Sequence, residues 1–154
     1  MKRKLHTPNN NVTVIIDVSF TESTDVVNQY IRDEQCPVFF NLKDEGIIRF
    51  EWFINEEDKT ATLIEKFENS NVWEELGNKV IGSPINLRFR ELFKVEKLTV
   101  LGEINDEFDD DGNVYSKLDD KNYVFEGKTF VSYIELVKQF SQVVTFCNHQ
   151  KFVY

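Results

Sequence analysis

Val12-Thr13-Val14-Ile15-Ile16-Asp17-Val18-Ser19-Phe20 decides the fold, because Val12, Val14, Ile16, Val18 and Phe20 alternate with Thr13, Ile15, Asp17 and Ser19. A side-chain period of two belongs to an extended strand, and this stretch is predicted to be one. Immediately after it, Thr21-Glu22-Ser23-Thr24-Asp25 supplies several N-cap residues, with Val26, Val27, Tyr30 and Ile31 at helical spacing behind them. A helix is predicted to start there. Pro37 has no amide hydrogen to donate, so it should kink or restart that helix. Val38 to Leu42 then forms a second short piece before the Asp44-Glu45-Gly46 turn.

Further along, Ile47 to Ile54 and Thr60 to Phe67 read as a hairpin around the polar turn Asn55-Glu56-Glu57-Asp58-Lys59. Asn69 or Ser70 can cap a second helix carrying Val72, Trp73, Leu76 and Val80 and ending near Gly82-Ser83-Pro84, and a short helix over Asn86 to Phe93 follows. Lys94 to Gly102 reads as a fourth strand. The order β-α-β-β-α-β is the ferredoxin-like α+β pattern, with four antiparallel strands and both helices on one face. In the first and third strands both alternating sets contain apolar residues, Ile15 beside Val14 and Ile64 beside Leu63. The second sheet face therefore needs a cover, and a partner subunit is the simplest one.

The expected organisation is a flexible tail over residues 1–11, a domain over 12–102 and a C-terminal extension over 103–154 packing on it. Within the extension, Asp106 to Asn113 is acidic and turn-rich. Val114 to Leu118 and Tyr123 to Phe125 resemble short strands, and Phe130 to Phe140 has near-helical spacing. Composition narrows the function. A chain of 154 residues, 41% hydrophobic and 14% aromatic, can bury a core. Its formal charge of -9 opposes binding to a phosphate backbone or an anionic membrane surface, so neither nucleic acid nor membrane is an expected partner. Cys36 and Cys147 cannot make a disulfide framework, and the charged start Met1-Lys2-Arg3-Lys4 is followed by no apolar signal core. A cytoplasmic location is expected.

Arg49-Phe50-Glu51-Trp52-Phe53, Leu63-Ile64-Glu65-Lys66-Phe67-Glu68-Asn69-Ser70, Gly82-Ser83-Pro84, Arg88-Phe89-Arg90-Glu91-Leu92-Phe93 and Leu98-Thr99-Val100-Leu101-Gly102 follow one another in an order that resembles the antibiotic biosynthesis monooxygenase-like family. The resemblance covers residues 12–102. It implies a dimeric α+β barrel and, for some members, oxidation of phenols or quinols by dioxygen without metal, flavin or haem. Other members degrade haem. Where many relatives carry a histidine in the second helix, this chain has Glu75-Leu76-Gly77-Asn78-Lys79-Val80, and the residues beyond Gly102 match no part of the pattern.

Cofactor-free oxygenation needs aromatic walls, a base, and a donor for the developing oxyanion, all in a dry pocket. Trp52 and Trp73 with nearby Phe are candidates to hold a ring, and Glu65 is the candidate base. Glu65 shares strand parity with Ala61, Leu63 and Phe67, so its carboxylate is either raised in pKa or paired with a cation. Asn69 lies four residues before Trp73, which places both on one side of the helix, and the pair resembles those of oxygenase members. Asn69 is equally suited to cap the helix, and Trp73 to pack in the core. Arg49, Arg88 and Arg90 are candidate anion-binding residues, or else partners of surface carboxylates. A non-enzymatic ligand-binding or interaction module of the same dimeric fold is the alternative function.

Other motifs fail on their chemistry. Gly127-Lys128-Thr129 has Asn122 where a phosphate loop needs glycine, and the acidic run beginning at Glu107 has Leu118 where a calcium loop needs a bidentate Glu. Cys147 and His149 lack a third orienting group, and His6 lies in the tail, so no metal site is expected. Haem handling would need an axial ligand, for which His149 is the candidate outside the tail.

Overall fold

The computed structural model describes residues 9–42, 45–104, 107–108, 114–115, 123–125, 128–130 and 144–147. Its strands are β1 (Val12–Ser19), β2 (Ile47–Asn55), β3 (Thr60–Phe67), β4 (Lys94–Leu101), β5 (Glu107–Phe108), β6 (Val114–Tyr115), β7 (Tyr123–Phe125), β8 (Lys128–Phe130) and β9 (Val144–Cys147). The main sheet has the order β2-β3-β1-β4-β9. Neighbours among its first four strands are antiparallel, as a ferredoxin-like α+β fold requires. β9 joins parallel to β4, and Gly102 N–H donates to the Cys147 carbonyl at 2.9 Å just beyond the ladder. The extension thus contributes a strand to the sheet. Elsewhere in it, β5 pairs with β6 and β7 with β8. Of the helix expected over Phe130 to Phe140, Phe130 instead ends β8 and the rest falls outside the described residues; of the turn-rich stretch Asp106 to Asn113, Glu107 and Phe108 form β5 and the rest falls outside them, as do His6 and His149.

The period-two pattern of β1 sorts its side chains by face. Val14 lies opposite Glu65 and Val100, and Ile16 opposite Leu63 and Leu98. This is the helix-covered face, and on it Val12, Val14, Val18, Ala61, Leu63 and Phe67 are buried. On the other face Ile15 sits directly opposite Ile64, with Phe53 and Leu101 still 50% and 37% exposed around them. Asp17 accepts a 2.7 Å hydrogen bond there from the Thr62 hydroxyl.

The first helical segment is one continuous rod of three pieces: α1 (Thr24–Gln29), a π-turn over Tyr30–Gln35, and α2 (Cys36–Asn41). Ser23 caps it by accepting from Val26 N–H at 3.3 Å. In the wide turn the Cys36 N–H reaches back five residues to the Ile31 carbonyl. Pro37 then falls in the first turn of α2, where its missing donor leaves no gap. The expected interruption at Pro37 is therefore a widening of the helix, which rotates Tyr30, Ile31 and Gln35 into the interior.

α3 (Ser70–Val80) and α4 (Pro84–Leu92) form the second helical layer. Between them, Ile81 (φ −58°, ψ 128°) and Gly82 (φ +77°) make a type II turn closed by Ser83 N–H donating to the Val80 carbonyl at 2.9 Å. That turn needs positive φ at its third residue, which glycine supplies without strain. Two buried clusters result. One joins α2 and α3 to the sheet through Val12, Val14, Phe39, Phe67, Trp73 and Val100; the other joins α1 and α4 to it through Val18, Val27, Tyr30, Ala61, Leu92 and Phe93. Ile16 packs against both. Among the described residues, no helix is long and apolar enough to cross a membrane.

Candidate functional site

The seam between the two clusters is incompletely filled. A cavity of about 120 Å³ opens there, with Ile16 and Leu63 of the sheet as its floor. Phe39, Trp73 and Phe89 contribute aromatic walls, and Tyr30, Gln35 and Glu65 the main polar groups. An enclosed apolar cavity near 150 Å³ holds one benzene ring, so this half-open space is of the order of a single ring.

Glu65 occupies an inward position of β3 because of strand parity alone, with Val14 on one neighbouring strand and Phe50 on the other. It is 7% exposed, and among the described residues its carboxyl makes no hydrogen bond or ion pair. Burial therefore acts unopposed and pushes its pKa from 4.5 up to about 7. Near neutral pH such a group is divided between acid and conjugate base, as proton transfer requires.

Gln35 was not among the residues singled out from the sequence. The π-turn brings it inward to 5% exposure, where its Oε1 accepts a 2.7 Å hydrogen bond from the indole N–H of Trp52. An indole nitrogen only donates, so the amide atom it meets is the oxygen, leaving the NH2 as the polar group available to the cavity. Trp52 is itself held by a stacked Phe93 ring at 5.3 Å and a tilted Phe89 ring at 6.3 Å. Tyr30 has a different role: its hydroxyl donates to the Ile85 carbonyl at 2.8 Å, tying the π-turn to α4. Burial, with Glu34 nearby, holds this phenol well above the usual tyrosine range, so it stays neutral.

Of the residues expected from sequence, Glu65 and Trp73 come together on the cavity wall, and Trp52 reaches it through Gln35. Asn69 caps α3, its Oδ1 accepting from Val72 N–H at 3.0 Å, and it is not part of the lining. Arg49 lies on the opposite sheet face, in a two-pronged pair with Glu51 at 2.8 and 3.0 Å. Arg88 pairs with Glu91 at 3.0 Å, and Arg90 is on the exposed side of α4. These three guanidinium groups do not converge on the cavity. A second buried carboxylate, Glu74, accepts from the Ser70 hydroxyl at 3.3 Å and also lies outside the lining.

By sequence, no family description matches the chain and no curated protein matches it. By structure, it is similar to MupZ from Pseudomonas fluorescens, with TM-score 0.55 and 11% identity over 94% of this chain and 93% of that one. Residues 12–102 are about three fifths of the chain, so this likeness takes in part of the extension as well as the four-stranded core. Protein YJCS (TM-score 0.44, 18% identity) covers 58% of this chain and 95% of its own. SO0527 from Shewanella oneidensis (TM-score 0.41, 15% identity) covers 62% of this chain and 91% of its own. The likeness to MupZ establishes a shared α+β, ferredoxin-like fold.

Proposed function

We propose that the chain is a cofactor-independent monooxygenase of the antibiotic biosynthesis monooxygenase-like kind, acting on a single-ring phenol or quinol. The observation that carries this reading is a buried carboxyl, free of internal partners among the described residues, in a ring-sized aromatic cavity. Ionised Glu65 takes the proton from a bound hydroxyl. The Gln35 NH2 donates to the oxygen on which charge develops, and Trp73, Phe39 and Phe89 hold the ring away from water. Hydroquinone and dioxygen would give hydroxybenzoquinone and water, one oxygen atom going to each product. The organic substrate supplies all four electrons, and no external reductant is consumed.

The alternative, a binding module without catalysis, would be favoured by a cavity lined only by Leu, Val and Phe or filled by the protein's own side chains. The polar lining and open volume support the catalytic reading instead. Oxygen uptake measured with a panel of single-ring hydroquinones tests it. Uptake lost in Glu65→Gln is the expected result, and ring binding without uptake in the unaltered protein would leave the binding module.

A further inference from the structure

The ring cavity has an outer neighbour. A groove of about 570 Å³ lies between α2 and the α3–α4 turn, and Val80 and Ile85 line both spaces. One helical rod serves the two sides: Gln35 and Phe39 face the inner cavity, whereas Glu34, Val38, Asn41 and Leu42 face the groove. Most of the groove surface is apolar, from Val38, Leu42, Val80, Pro84 and Ile85. Among the described residues its one cation, Lys79, is already paired with Glu45. Glu34 adds a negative charge, so an anionic substituent has no attraction to this channel.

We propose that the substrate is a single ring bearing an unbranched apolar side chain, with the ring beside Glu65 and the chain passing between Val80 and Ile85 into the outer groove. This rests on the catalytic reading for the fate of the ring, but the groove is a statement about binding. The inner space is of single-ring size and a larger greasy groove adjoins it across the aliphatic Val80 and Ile85, so the pair fits a narrow, elongated ligand rather than a wide one.

Calorimetric binding of phenol and 3-alkylphenols from methyl to hexyl, all below their aggregation limits, tests it. Affinity is expected to rise about two- to fourfold per methylene, as apolar burial predicts for a half-open groove. Val80→Trp, which adds bulk where the two spaces meet, and Pro84→Asp, at an exposed groove position in the first turn of α4 where a carboxylate is well tolerated, should both flatten the series. A flat series in the unaltered protein, with phenol itself bound, would overturn the side-chain proposal and leave the ring site standing. A rise that persists equally in both variants would overturn it too. A rising series with no oxygen uptake from the matching 2-alkylhydroquinones would count against catalysis alone, and failure of every phenol to bind would end both.

Discussion

The indole N–H of Trp52, on β2, donates to Oε1 of Gln35, in the π-turn, across 2.7 Å. This bond joins the sheet to the widened helix at the edge of the cavity and fixes which end of the amide is left as donor. Removing it in Trp52→Phe strands a buried carbonyl oxygen. We expect a loss of about 1–3 kcal/mol in urea unfolding, the usual cost of an unsatisfied buried acceptor. Unchanged stability would mean the contact does not orient Gln35.

Glu65 sets a pH dependence of opposite sign to that of a salt-bridged carboxylate. Its pKa in the fold is about 7 against an ordinary 4.5, so between these values the folded chain holds more protons than the unfolded one. The contribution of Glu65 to stability is then greatest below about pH 4.5, falls as pH rises toward 7, and levels off above it. Glu65→Gln lacks this penalty. Relative to the unaltered protein, it should match near pH 4 and be more stable at pH 8 by roughly 3 kcal/mol at most. Parallel pH profiles for the two proteins in chemical denaturation would refute the assignment.

Asn69 offers a separation of structural from chemical roles. Its Oδ1 holds the Val72 N–H at the start of α3. Asn69→Ala should therefore cost about 1 kcal/mol, and Asn69→Asp should restore most of it, as caps do. If Asn69→Asp recovers stability but not hydroquinone turnover, the side chain contributes to the reaction beyond its cap.

Much of this was legible in the sequence, for reasons that differ by element. Strand parity is rigid, so the alternation in β1 sufficed to place Val14 and Ile16 inward, and the company of Ala61, Leu63 and Phe67 placed Glu65 with them. Gln35 was hidden because it turns inward only where the helix departs from its regular period. Pro37, two residues on, was the available sign of that departure, but it specifies an irregularity and not its direction. For Arg49 the parity it shares with Glu51 was the available sign: it sets both on the far face, away from the cavity, where they pair. β9 pairs with a strand more than forty residues earlier, and a four-residue run carries too little pattern to declare so distant a partner.

The face opposite the helices bears on assembly. Ile15 and Ile64 meet at its centre, and Phe53 and Leu101 flank them with much of their surface exposed. We propose that a second copy of the chain covers this patch. Sedimentation at micromolar concentration should return a dimer, and Ile64→Lys should return a folded monomer, because it replaces apolar surface beneath the partner with a charge removed from solvent. A monomeric unaltered protein would refute this arrangement without touching the cavity.

The protonation of Glu65 carries the whole functional account, and it can be read directly. Carbon-13 NMR of the Glu65 side-chain carboxyl, assigned by its disappearance in Glu65→Gln, should titrate with a midpoint near 7. A midpoint in the ordinary range near 4.5 would mean that the carboxyl is open to water, and would contradict the base proposed at this site.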